Sequence, residues 1–430
     1  MKKVLLTQLK VCVAIGALSL GANNAMATEG YFANGAGARA KALAGAGAAD
    51  ARDATAIVVN PAGLADLKDS EIDISVSLFN PNRSYTVTGG PGFLPAGTTN
   101  SGSKVFPIPN FALAYRVSPT DVVGLSISGN GGLNTNYGPV TNPACGTAPF
   151  PAPDGTYCGG PAGVNMMQMF VSAAYAHDFG PLKIGISPIL AYQRFTARGV
   201  LAFGGVSSDP TALSDNGYDS STGFGARFGV ELAPTPGFRI GGAYQTKMSM
   251  GQFKKYAGLF ADQGGFDIPS TWQVGVAADV TPQFTLMADY RRINYSEVPS
   301  VGNPSSVMLP FGSTDGPGFG WKDVEAWKFG AEYRMRGGGA VRVGYAHNTQ
   351  PISGSDVTLN VLAPGVIQDH FTAGGSIPVG SRSSFEVAAM YAPTAKVSGI
   401  EVTPMGPNPG RTIEIQMNQF EFTLGWKLKL

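Results

Sequence analysis

The chain predicts an all-β protein: a transmembrane antiparallel β-barrel of about 14 strands with an N-terminal hatch plugging its lumen. Three observations predict it. From Glu71 onward apolar residues recur with period two, the repeat of strands that have one apolar and one polar face. The connections between these runs alternate between tight turns and long Gly/Pro/Ser-rich loops. One Ala/Gly-rich stretch, Glu29 to Leu67, fits neither pattern and is too small-sided to build a core of its own.

Composition narrows the class. Of 430 residues only 14% are charged, against about a quarter in a soluble domain. Mean hydropathy is +0.05, which excludes a bundle of membrane helices. A formal charge of +1 gives no support to a nucleic-acid partner.

The first residues read as a secretory signal. Lys2, Lys3 and Lys10 form its basic region, Val11 to Leu20 its apolar core, and Ala25-Met26-Ala27 its cleavage site. The apolar run is too short for a membrane helix. Residues 1–27 are therefore expected to be removed, leaving Thr28 first and taking the formal charge from +1 to −2. Cys145 and Cys158 remain, in one Pro/Gly-rich loop. In an exported chain such a pair is expected to form a disulfide, not a metal site.

The strands follow in order. Ile72, Ile74, Val76 and Leu78 alternate with Glu71, Asp73, Ser75 and Ser77. Phe238 and Ile240 alternate with Arg239 and Gly241, and Trp327, Phe329 and Ala331 with Lys328, Gly330 and Glu332. The clearest run is the last, where Phe420, Phe422, Leu424, Trp426 and Leu428 alternate with Glu421, Thr423, Gly425 and Lys427. Aromatics such as Tyr115, Tyr175, Tyr244, Tyr333 and Tyr391 end many runs, as in the girdles of an outer-membrane barrel. Tight turns at 118–120, 180–181, 234–236, 281–282, 337–338 and 379–382 read as periplasmic. Segments 80–107, 130–164, 199–221, 295–322, 348–366 and 394–417 read as the long external loops.

A barrel of this size has an open lumen unless something fills it. Residues 28–70 are available to do so, ahead of the barrel over 71–430. Their small side chains allow close packing against the wall, and Arg39, Lys41, Asp50, Arg52 and Asp53 can pair with inward-facing polar residues.

Several fragments resemble one known family. They are Gly30-Tyr31-Phe32, the Gly-Ala repeats, Asn60-Pro61-Ala62-Gly63-Leu64, Phe266 to Trp272, Trp321-Lys322-Asp323, and Val341 to Tyr345 before Pro351. Together they resemble the outer-membrane long-chain fatty-acid transporters of the FadL type, a family that includes channels for toluene and other aromatic hydrocarbons. The resemblance implies fourteen strands, an N-terminal hatch and energy-independent uptake of a hydrophobic small molecule. It also implies sideways exit through a gap made by an inward kink of the third strand. Gly129, Asn130, Gly131 and Gly132 end that strand here and are the candidate kink, since glycine within a strand marks a bulge or break. Asn60, Pro61 and Ala62, with Tyr31 and Phe32, are the candidate hatch and gating residues.

Capture is expected on an exposed apolar patch in a long loop. The candidates are Phe253, Tyr256, Leu259 and Phe260, three of them at helical spacing, with Lys254 and Lys255 positioned for a carboxylate or for lipopolysaccharide. A sixteen-carbon chain fully buried gains about 13 kcal/mol gross, at about 0.8 kcal/mol per methylene, so a gate is needed to release it. Outer-membrane lipid, lipopolysaccharide and the barrel-assembly machinery are the expected partners, with Trp426 near an end that lacks a final aromatic. The barrel is expected to be a monomer, with no cofactor, no metal and no enzymatic activity. Gly35-Ala36-Gly37 and Gly45-Ala46-Gly47 do not complete a nucleotide loop, and His177, His347 and His370 lie on separate strands. The alternative reading is a general aqueous porin, which has no need of a hatch.

Overall fold

The computed structural model describes residues 29–151, 154–403 and 406–430. The signal expected over 1–27 and the start at Thr28 lie outside the described residues. In chain order the strands are β1 (Glu71–Gly89), β2 (Gly97–Asn100), β3 (Phe106–Arg116), β4 (Asp121–Asn134), β5 (Gly163–Asp178), β6 (Leu182–Arg198), β7 (Asp219–Thr235) and β8 (Phe238–Gln245). They continue with β9 (Ser249–Met250), β10 (Thr271–Asp279), β11 (Phe284–Ile293), β12 (Val324–Arg334), β13 (Ala340–Asn348), β14 (Asp369–Val379), β15 (Ser383–Thr403) and β16 (Gly406–Lys429). All but β2 and β9 form one antiparallel wall of fourteen strands, in which each strand lies beside the next in sequence. β16 returns to β1, from Glu71 opposite Lys429 to Gly89 opposite Arg411, and closes it. Closure leaves no sheet edge facing lipid, where unpaired backbone groups are costly.

Side chains sort as the period of two requires. Trp327, Phe329 and Tyr333 face outward, while Lys328 and Glu332 between them are buried inside. Phe422, Leu424 and Trp426 face outward and Glu421 and Thr423 inward. The short turns gather at one end, where the backbone N–H of Leu430 donates to the Ser70 carbonyl at 2.8 Å. Among the described residues no helix is long and apolar enough to cross a membrane.

Two expected loops are partly strand. β1 runs on to Gly89 and β16 begins at Gly406, and their extensions pair from Asn80 opposite Phe420 to Gly89 opposite Arg411. Alternation persists there as Tyr85, Val87, Ile413, Ile415 and Met417 against Ser84, Thr86, Thr412, Glu414 and Gln416, but the apolar set is buried on the inside. The ladder and this inward apolar face, not a lipid-facing pattern, hold the ribbon together.

Residues 29–70 lie inside the wall. They form a helix at Gly37–Ala42, a short helix at Ala56–Val59 and a 3-10 turn at Pro61–Asp66. Most of their side chains are buried, and their charged groups meet inward-facing residues of the strands. Arg39 pairs with Glu332 at 3.1 Å, Lys41 with Glu421 at 2.5 Å, Asp50 with Arg239 at 2.7 Å and Asp53 with Lys427 at 3.5 Å. Arg52 reaches Asp279 at 3.7 Å. Pairing is what makes these buried charges tolerable: removing one partner of such a pair costs about 3–5 kcal/mol.

Candidate functional site

The wall is interrupted beside the N-terminal segment. β4 pairs with β3 only up to Ile127, opposite Phe111. Beyond that point β3 continues along β1 as far as Phe106, while β4 continues along β5 as far as Asn134. The two strands therefore part over the outer half of the wall. Asn130 is the extra residue of a bulge, since Gly129 lies opposite Met169 and Gly131 opposite Gln168. Its amide donates to Gln168 Oε1 at 3.0 Å.

The freed edge of β4 takes the N-terminal segment as its partner. Ala33 N donates to the Asn130 carbonyl at 2.8 Å, and Gly132 N to the Tyr31 carbonyl at 3.0 Å. Phe32 and Gly131 form an antiparallel bridge. On the other side of the break, Pro107 and Pro109 of β3 have no N–H to leave unpaired, a usual device of edge strands. These prolines were missed by sequence reasoning, although two at alternate positions within one strand are a legible edge signal.

Tyr31 and Phe32 are fully buried among aromatics. Tyr31 lies 4.9 Å from Tyr295, 5.8 Å from Trp321 and 5.9 Å from Phe266, centroid to centroid. The Tyr295 hydroxyl donates to the Glu29 carbonyl at 2.5 Å and accepts from Tyr31 N at 3.1 Å and Phe32 N at 3.3 Å. Glu29 itself is held by Lys328 and Arg291, at 2.5 and 2.9 Å. Burial pushes the Glu29 carboxyl up, but the two cations outweigh it and hold it below its ordinary value.

Asn60, Pro61 and Ala62 sit against another part of the wall. Asn60 Nδ2 donates to the carbonyls of Ala48 and Val230, at 2.6 and 3.0 Å, and its Oδ1 accepts from Ala62 N at 3.1 Å, capping the turn. A side chain at Gly185 or Gly229 would collide with these residues, so the wall is glycine where the turn docks. Inward-facing strand glycines are a second signal that sequence reasoning left unused.

The expected capture patch is corrected. Phe253, Tyr256, Leu259 and Phe260 are buried, not exposed, and no continuous helix carries them. They pack on Phe195, whose ring lies 5.6 Å from Phe253, 4.9 Å from Tyr256 and 4.6 Å from Phe260. Their apolar area is spent on roofing the barrel, and only Lys254 and Lys255 remain exposed. The exposed apolar surface lies elsewhere in the loops. A groove of about 320 Å³ is lined by Phe203, Val206, Met308, Leu309, Phe311 and Leu359, with Met308 86% exposed. Cys145 and Cys158 are joined, with an S–S distance of 2.14 Å.

Inside, the passage is narrow. A hollow of about 50 Å³ beside Gly129 and Asn130 is bounded by Asn34, Phe170, Arg227 and Arg291. Toward the short-turn end lies a larger one, about 700 Å³, rimmed by charged groups that include Arg39, Glu332, Arg342, Glu386 and Lys427. Among the described residues no three His, Cys, Asp or Glu side chains group to hold a metal.

A closed fourteen-stranded barrel with an occupied lumen and a parted wall defines a class of outer-membrane transport protein. The chain belongs to the family described as outer membrane protein transport protein (OMPP1/FadL/TodX), whose model matches residues 18–403, and it is an outer-membrane protein. The fold is similar to that of the toluene transporter TodX of P. putida, with a TM-score of 0.66 and 14% identity over 92% of this chain and 99% of that one. A Pseudomonas aeruginosa FadL homologue gives 0.66 and 14% over 93% and 99%. The toluene transporter TbuX of Ralstonia pickettii gives 0.62 and 18% over 92% and 99%. NMB0088 of Neisseria meningitidis serogroup B, which is named as an outer membrane protein, is 33% identical over 113 residues. That match spans 25% of this chain and about a quarter (24%) of the relative's length.

Proposed function

We propose that this chain is a passive channel for hydrophobic small molecules, either long-chain fatty acids or aromatic hydrocarbons, and that its cargo leaves sideways between β3 and β4. The observation that carries this reading is the edge of β4, which abandons β3 and pairs with Tyr31 to Ala33. A movable segment stands where a wall strand would otherwise be. Displacing it would open the break without breaking the barrel.

The axial route suits a greasy molecule poorly. Toward the short-turn end it meets the ion pairs of Arg39, Asp50, Glu332 and Arg342, whose charges an apolar ligand cannot replace. Capture is assigned to the groove at Met308 and Leu309, in place of the buried 253–260 cluster. From there the ligand passes to the aromatic cluster around Tyr31, and the N-terminal segment acts as the hatch. A hatch with two positions lowers affinity enough for release. A general porin is disfavoured, because residues 29–70 occupy the lumen that water would need.

The test is uptake by cells lacking their own fatty-acid channel and expressing this chain, with labelled oleate compared with labelled toluene. Entry of either supports the channel and names its ligand class. Entry of neither, with free passage of small sugars, overturns it in favour of a porin.

A further inference from the structure

Above the parted strands, on the outside of the wall, lies a hollow of about 420 Å³ lined by Lys104, Val105, Asn134, Asn165, Arg198 and Tyr218. Lys104 and Arg198 are exposed. Beside them Arg194 lies over the Tyr218 ring, with its Cζ 3.6 Å from the centroid. Tyr218 is held from two sides, its hydroxyl accepting from Asn165 Nδ2 and its carbonyl from Lys255 Nζ, both at 2.9 Å. Arg198 donates to Asn136 Oδ1.

The charge here is unbalanced. Lys104, Arg194, Arg198 and Lys255 form no ion pair with a described carboxylate, whereas most cations inside the barrel do. The nearest acids are engaged by other groups. Asp215 accepts from Gly199 N and Ser214, and Asp219 from the backbone of Ser220 and Lys255.

The register sets the height of the cluster. Outward-facing residues of β6 run Leu190, Tyr192, Arg194, Thr196, Arg198 toward the loops, opposite Val171, Met169, Met167, Asn165 and Gly163 of β5. An apolar stripe thus passes through an aromatic into cations, the order in which a lipid presents chains and then headgroup. Leu190 and its neighbour Phe224 are 40% and 73% exposed.

We propose that this hollow binds the phosphate-bearing headgroup of an outer-leaflet glycolipid, whose acyl chains lie down the Met169–Leu190 stripe beside the break. Phosphate suits the site because Lys104 and Arg198 line it, Arg194 and Lys255 are held on Tyr218 beside it, and none of the four forms an ion pair with a described carboxylate.

The test uses the full-length barrel purified from outer membranes, with native mass spectrometry reading retained lipid. Wild type is expected to keep about one phosphorylated glycolipid per barrel. The double variant Lys104→Glu/Arg198→Glu is expected to keep at least tenfold less, and Lys396→Glu, a distant exposed control, the wild-type amount. Heat-dependent gel mobility checks that each variant is folded. Delipidated wild type is then offered a diphosphoryl glycolipid, its dephosphorylated form, and oleate. Binding of the first alone supports the proposal. Equal retention by the double variant, or equal binding of the dephosphorylated lipid or of oleate, overturns it.

Discussion

Gly131 of β4 lies so close to the Tyr31 carbonyl that a methyl group on Gly131 would overlap the oxygen. The contact joins the N-terminal segment to the wall where the wall is broken. Gly131→Ala is therefore expected to push the segment off β4. Overpacking of this kind costs about 1–3 kcal/mol, and most of it should fall on the segment, because the ladder to β5 is on the opposite edge of β4. Limited proteolysis within 29–70 should accelerate and channel conductance rise, with heat-dependent gel mobility unchanged. Unchanged proteolysis would show that the two backbones are not in contact as described.

Tyr295 provides a second hold. Its hydroxyl serves three backbone groups, one carbonyl and two N–H groups. Tyr295→Phe preserves the ring packing on Tyr31 and Trp321 and removes the three hydrogen bonds; Phe32 N and the Glu29 carbonyl keep their bond to each other at 3.4 Å, and the loss falls chiefly on Tyr31 N. Each unmet buried group costs about 1–3 kcal/mol. Amide hydrogen exchange at Tyr31 and Phe32 should increase by one to two orders of magnitude, which is about what 1–3 kcal/mol amounts to.

The wall was legible because strand alternation is local: Phe420 to Leu428 declare their faces without knowing their neighbours. The ribbon made by residues 80–89 and 411–420 was not legible as strand, although Tyr85, Val87, Ile413, Ile415 and Met417 alternate there with polar residues: its apolar set faces inward, the reverse of the lipid-facing wall. Glycine and resemblance marked Gly129 to Gly132 as a candidate kink, and a bulge at Asn130 lies among those residues. The capture patch failed for a different reason. Phe253, Tyr256 and Phe260 carry a spacing that says they share a surface but not whether that surface is covered, and Phe195, far away in sequence, covers it. The exposed Met308 and Leu309 have no periodicity to mark them.

Acid should release the segment. Lys328 and Arg291 outweigh burial and hold the Glu29 carboxyl below its ordinary 4.5. Burial likewise raises Asp53, and Lys427 and Arg39 more than offset it. A depressed carboxyl contributes stability that is complete above its unfolded value and is lost as pH falls through its folded value. The segment is thus expected to stay docked at neutral pH and to loosen only below about pH 4.5, the ordinary value for Glu29. Glu29→Gln should loosen it at every pH and flatten the acid dependence. Proteolytic susceptibility of residues 29–70 measured from pH 7 to pH 3 reads both.

The groove at Met308 and Leu309 should set affinity without setting the exit. Burying one such side chain against a ligand contributes about 1.5–3 kcal/mol, so Leu309→Asp is expected to raise the half-saturating ligand concentration roughly tenfold or more. The corresponding change at Phe260 should instead damage the roof of the barrel and lower heat resistance. Uptake titrations on folded protein separate the two.

Pro107 and Pro109 provide the most direct test of the parted wall. Each leaves the edge of β3 without a donor where β4 has departed. Replacing both with Val restores two N–H groups while keeping an apolar side chain for the lipid face. The restored donors offer β4 a strand to rejoin, in competition with Tyr31 to Ala33. The double variant is expected to fold and insert normally, to resist heat at least as well as wild type, and to take up hydrophobic ligand severalfold more slowly. Capture at the loop groove should be unaffected, so binding to the purified barrel stays at the wild-type level. Uptake at the wild-type rate from a barrel whose β3–β4 amides have become protected from exchange would mean that cargo does not leave through this break.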